Sequence, residues 1–247
     1  MIRLLFLVLV FAVGLAAAVV YKGQIYHLRR AVPDLLPGWT DRIAEDASLR
    51  SGSIRLPATA QLPETTLFWD AVAPGADGWK WQLRLTGDGI ALTARATLGF
   101  WPDRAVLDDG AGTLDLSALA GLPVQTRGVA TLEALSAEVT RILAAPVFSG
   151  DLTARLAGLR VEGDDFGQGP LRAVLDADGG WRADLELAGG VSPITGRISG
   201  KWPGRLVQLD MSFADGAALP DTLRGILSAV AVPAGQGWRL SASVPFP

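Results

Sequence analysis

The sequence predicts a mainly β protein: an N-terminal transmembrane helix, then a curved antiparallel β-sheet domain with one or two short helices. Three observations carry that expectation. Apolar and polar residues alternate in many short runs, as Trp79, Trp81, Leu83 and Leu85 do against Lys80, Gln82, Arg84 and Thr86. Twenty-nine glycines and fifteen prolines are scattered between those runs, which is how turns punctuate strands. An uncharged stretch fills positions 4–21.

That stretch lies between Arg3 and Lys22 and is just long enough to span, since a membrane helix needs about 20 apolar residues. Tyr21 and Lys22 suit its interfacial end. The rival reading is a cleaved signal peptide, with Arg3 as its basic start and Ala16-Ala17-Ala18 as the cleavage site. Apolar residues continue through Val19 and Val20, which favours an uncleaved anchor over residues 1–22. Lys22, Arg29 and Arg30 follow the span, so the local positive-inside count does not favour export. Long domains translocate despite such charge, and both readings otherwise place the chain beyond about residue 30 outside the cytoplasm. Residues 23–48 read as a membrane-proximal linker with a short amphipathic helix, and Trp39 as an interfacial or packing residue.

From residue 49 to 247 one grammar repeats, without a polar linker, so a single β domain is expected there. SGSIRLP and TTLFWDAVAP open it as strands. A hairpin follows, turning at Gly87-Asp88-Gly89 and resuming with Ile90, Leu92, Ala94, Ala96 and Leu98. AGTLDLSAL, RGVATLEAL and SGDLTARLAGLRV come next, then PLRAVLDA and GWRADLELAG around a turn at Asp178-Gly179-Gly180. TGRISGKW, RLVQLDMSF and GWRLSASVPF complete about ten strands. A phrase of glycine followed by alternating apolar residues recurs at Gly112, Gly128, Gly150 and Gly196, and is expected where strands begin beside turns. Two segments have apolar residues at helical spacing, Leu135–Ala145 and Leu219–Val230, the second with Asp221 as a cap after Pro220. Either reads alternatively as a strand or a turn.

A sheet whose strands each have one oily face must cover that face. So few helical residues leave a sandwich, a barrel-like closure, an open trough or a hydrophobic ligand.

Composition narrows the chemistry. A net charge of −3 with interspersed signs offers no basic stripe for nucleic acid. The chain has no cysteine and one histidine, His27, read as a solvated juxtamembrane residue. Thiolate nucleophiles, disulfides and the common zinc sets are thereby excluded. Phosphate loops, nucleophile elbows and HExxH are missing. Carboxylates cluster at Asp108-Asp109, at Glu162-Gly163-Asp164-Asp165 and at Asp176-Ala177-Asp178, but none has calcium-loop spacing, and Asp-Gly is what hairpin turns select. No catalytic, cofactor or metal residue is therefore assigned. Trp69, Trp79, Trp81, Trp101, Trp181, Trp202 and Trp238 lie in or beside strands and read as core or rim packing, with a ligand platform as the rival.

The layout resembles the type II secretion system protein N family. Ser51-Gly52-Ser53-Ile54 matches the family's opening phrase, and Trp69 with Pro74 stands for a following tryptophan–proline phrase. Gly-x-Leu strand starts recur, as in Ser149-Gly150-Asp151-Leu152, and Gly237-Trp238-Arg239-Leu240 to Pro245 looks like its closing strand. Where that family carries Trp-x-Gly, this chain has Ile54-Arg55-Leu56. A weaker similarity is to AsmA-like and TamB-like envelope proteins. The first resemblance implies a non-catalytic accessory subunit of a secretion machine, single-pass in the bacterial inner membrane with its C-terminal domain in the periplasm. Its implied partners are the membrane and other envelope or secretion-complex proteins. The second implies a lipid-binding or lipid-transfer module.

Overall fold

The computed structural model describes residues 47–48, 50–59, 63–99, 103–119, 125–141, 147–201, 206–216 and 219–245. The anchor at 1–22, His27, Trp39, Trp101, Trp202 and nearly all of the linker at 23–48 lie outside the described residues. Among the described residues, no helix is long and apolar enough to cross a membrane.

The sheet opens with β1 (Ser51–Leu56), β2 (Thr65–Gly75), β3 (Gly78–Gly87) and β4 (Ile90–Leu98). It continues through β5 (Arg104–Asp115), β6 (Thr126–Thr140), β7 (Val147–Val161), β8 (Asp164–Leu175) and β9 (Gly180–Gly189). β10 (Ile194–Lys201), β11 (Leu206–Phe213), β12 (Val232–Ala234) and β13 (Gly237–Pro245) complete it. Among the described residues, one α-helix, α1 (Asp221–Val230), and a 3-10 turn at Leu116–Ala118 accompany them. All thirteen strands form one antiparallel sheet in the order β1 to β11, then β13, then β12. β1 and β12 are its two edges, so the sheet is open. Among the described residues there is neither the second sheet that a sandwich needs nor the paired edges that a barrel needs, which leaves the open trough.

Why every strand joins one sheet follows from alternation and register. Residues opposite one another across an antiparallel pair share a face. Leu67 lies opposite Leu85, Leu85 opposite Leu92, and Ile90 opposite Leu114. Ala130 faces Leu156, Leu171 faces Leu185, and Ile194 sits between Leu187 and Phe213. One apolar face therefore runs across the whole sheet. The opposite face carries Arg84, Arg95, Arg172, Asp184, Arg197 and Asp210 on the same strands.

The chain breaks its own alternation in places, and bulges repair the phase. Leu132 and Leu135 are three apart, yet both face the apolar side because Glu133 is the extra residue of a bulge against β7. Leu107 and Gly112 are likewise reconciled at Asp109-Gly110, where Asp109 has a φ of 52°. A third bulge at Ala157-Gly158 uses Gly158 at φ 59°.

These bulges account for one misreading. The segment from Leu135 is not a helix: through Thr140 it is the second half of β6, paired with β5 and β7. The bulge gives Leu132, Leu135 and Val139 the spacing of three and four that mimics a helical stripe. RGVATLEAL and LSAEVT are thus one long strand. The glycine phrase is also corrected. Gly112 lies deep in β5, and Gly128, Gly150 and Gly196 are third or fourth in their strands, not in turns. At Gly112 the φ of 142° and the crowding of a Cβ against the Ala91 carbonyl both demand glycine.

α1 forms where expected, but Asp221 is its first residue and not its cap. Pro220 occupies the cap position without a side-chain hydrogen bond, and Asp221 pairs with Arg224 at 3.4 Å. The helix buries Leu219 (1% exposed) and Leu227 (2%) against Leu187, Ile194 and Phe213. This is the tightest core in the described chain, and it sits at one end of the strands.

Three expected outcomes follow, all read by urea unfolding of the purified protein. Leu227→Ala costs about 2–5 kcal/mol, the range for emptying a packed leucine site. Gly112→Ala costs on the order of 1–3 kcal/mol for its strained backbone, whereas Gly225→Ala, with open space around it in α1, gains about 1 kcal/mol.

Candidate functional site

The apolar face is the feature that ordinary folding does not use up. At one end of the strands it is closed. Leu156, Leu187, Ile194 and Phe213 are buried there in one cluster with Leu219 and Leu227, against which Leu116 of the 3-10 turn packs, and Ile90 is buried at the same end of β4. At the other end Trp79, Trp81, Leu98, Val139 and Trp181 are only half-buried, and Phe148 is 53% exposed. Between these ends Leu83, Ala94, Leu152, Ala173 and Leu209 keep the same half-buried character. A hollow of about 500 Å³ opens at the exposed end, lined by Val147, Phe148, Leu175, Ala177 and Trp181 together with the charged Asp178.

The tryptophans divide by role. Trp79, Trp181 and Trp238 each stand second in a strand that follows a turn, as expected. Trp181 lies across from Gly200, and Trp69 across from Gly52. In both pairs a Cβ on the glycine would meet the indole ring, so the ring covers the bare backbone opposite. Trp69 also donates its indole N–H to the Ser48 carbonyl at 2.8 Å, and Ala47 is fully buried beside it. Tryptophan–glycine pairing is packing, and it was invisible without the register.

The opposite face is wet and charged. Arg104 donates to Glu138 (2.6 Å), Arg155 to Glu133 (2.9 Å) and Arg197 to Asp184 (2.6 Å). Glu138 holds the Arg104 guanidinium above its ordinary range, first by that hydrogen bond, and Asp184 does so for Arg197. Arg84 stacks 4.9 Å from the Phe68 ring. Exposed pairs of this kind add little stability. They keep the face hydrated, which fixes which side of the sheet is left for apolar contact.

The carboxylate clusters serve turns and a bulge, and the buried Asp108 Oδ1 in β5 has no hydrogen-bond partner among the described residues. Glu162 (φ 53°) and Gly163 (φ 94°) make the β7–β8 turn, and Glu162 accepts from the Gln125 N–H at 3.0 Å. Asp165 accepts from Gly167 N–H, and Asp109 pairs with Arg95 at 2.7 Å. Asp178 accepts from the Gly180 N–H at 3.0 Å and from Lys201 at 3.2 Å. Those bonds, the backbone one first, hold the Asp178 carboxyl below the usual carboxylate range. Among the described residues no three histidines, cysteines or carboxylates converge to hold a metal ion.

The fold and this surface together define a class: an open, single-sheet β protein with one charged face and one apolar face closed at one end only. A family model, type II secretion system (T2SS) protein N, matches residues 47–241. The chain belongs to the type II secretion system protein N family, and with it to the components of that protein-transport machine. Searches of curated proteins and of solved structures each found no match.

The lowered carboxyl of Asp178 gives a pH dependence with a definite sign. Its stabilising bonds are present above the unfolded carboxylate value of 3.8 and are lost as pH falls through the lower folded value. Asp178→Ala therefore destabilises the protein more at pH 7 than at pH 3 in parallel urea titrations; an equal effect at both would exclude this account.

Proposed function

We propose that this protein is a non-catalytic accessory subunit of a type II secretion machine, held in the inner membrane by residues 1–22. Its β-rich domain from residue 49 to 247 then stands in the periplasm and takes part in assembling or stabilising the export complex. Family membership over residues 47–241 supports this reading most directly. The uncharged run at 4–21, ahead of the matched region, supports the anchor. The broad apolar face supports the same reading, since it offers contact surface to a partner.

A second reading is favoured by one observation. The apolar residues of successive strands do not face one another in a closed core; they lie along a face open at one end. That supports a lipid-handling role within the same assembly.

Loss of the protein is expected to lower the amount of secreted substrate reaching the medium while the substrate accumulates in the periplasm. Unchanged secretion in the deletion strain removes the accessory role. Placement is tested separately. The chain has no cysteine, so Ser241→Cys supplies a single thiol on an exposed strand position. In spheroplasts it reacts with a membrane-impermeant maleimide before lysis; reaction only after lysis places the domain in the cytoplasm.

A further inference from the structure

The apolar face has a direction, and the direction selects an occupant. We propose that the face admits the acyl chains of bilayer phospholipid, tails first, through its open end. This rests on the reading that residues 1–22 anchor the chain in the membrane.

Four observations point the same way. First, the face is apolar along the whole strand direction: on β3 and β4 it runs through Trp79, Trp81, Leu83 and Leu85 against Leu98, Ala96, Ala94 and Leu92. A protein segment laid there brings backbone N–H and C=O groups that the face cannot satisfy, at a cost of roughly 1–3 kcal/mol each; an acyl chain brings none. Second, the aromatic side chains of the uncovered part gather at the open end, where Trp79, Trp81, Phe148 and Trp181 lie, and such rings favour the boundary between hydrocarbon and water.

Third, the chain joins the sheet at that same end. Ser51 begins β1 opposite Asp70, next to the Ala71–Trp81 pair, whereas Leu56 ends β1 opposite Thr65 at the closed end. Ala47, just upstream, is fully buried against Trp69 on the apolar face. Residue 47, the described residue nearest in sequence to the uncharged run at 4–21, therefore lies at the open side. Fourth, the depth is adequate. From Leu85 to Trp79 the strand covers about 20 Å at ~3.4 Å per residue, against about 15 Å for half of a ~30 Å hydrocarbon core.

The test uses the full chain in vesicles of phosphatidylethanolamine and phosphatidylglycerol. p-Benzoylphenylalanine replaces one residue at a time: Ala173→p-benzoylphenylalanine in the middle of the apolar face, Thr153→p-benzoylphenylalanine on the charged face, and Val10→p-benzoylphenylalanine in the uncharged run. After irradiation, mass spectrometry is expected to find phospholipid adducts from Ala173 and Val10 and none from Thr153. Adding Ala137→Glu, which places a charge across the face, lowers the Ala173 adduct by on the order of tenfold. Adducts from Val10 but not from Ala173 overturn the proposal and leave the anchor standing. Adducts from neither overturn the anchor and the proposal together. An Ala173 adduct to a second copy of the chain, or equal lipid labelling from Ala173 and Thr153, also overturns it.

Discussion

One constraint organises this molecule: thirteen strands hold the same alternation phase, so that one side of a single sheet is apolar from strand to strand. Strand side chains alternate with a period of two, and a slip of one residue sends a whole strand's oily set into water. The chain does not avoid such slips by perfect spelling. It contains odd-numbered gaps between apolar residues in β5 and β6, and a bulge absorbs each one. A bulged strand also bends and twists more strongly, so the devices that keep the phase also shape the sheet.

Everything else follows from where that face is covered. α1 and the 3-10 turn close one end, and the buried cluster of Leu156, Phe166, Leu187, Ile194, Phe213, Leu219 and Leu227 forms there. That cluster gives the sheet a fixed point. Farther along the strands the side chains stay half-buried, which is what a single layer produces when no second sheet lies across it. The opposite face is kept wet by arginine–carboxylate pairs, with Phe68, Val72 and Val129 set among its charges.

Much of this was legible in the sequence. The Trp79 to Leu98 hairpin, its turn at Gly87-Asp88-Gly89, the Asp178 turn and the helix after Pro220 all stand where the pattern puts them. The three Gly-Trp strand openings stand there too. What was not legible depended on partners distant in the chain. The second half of β6 resembles a helix until β5 and β7 reveal the bulge that spaces its leucines. Gly112 looks like a strand opener, but it is the one residue that tolerates the close approach of β4 inside β5. β12 is three residues long, too short for any period to register, yet it forms an edge of the sheet. Glycine opposite tryptophan, at Gly52 and Gly200, is likewise a property of register and not of spacing. The apolar face itself was readable strand by strand. That it is open at one end was not, because edge pairing and capping are global facts.

The claim that the sheet is open is tested most directly by a distance across its edges. Spin labels at Arg55→Cys on β1 and Ala234→Cys on β12, in the otherwise cysteine-free chain, report that distance by pulsed electron resonance. The open sheet gives a separation far beyond the ~5 Å of neighbouring strands. A distribution centred within one or two strand spacings would mean a closed barrel, with its apolar residues sealed inside as an ordinary core.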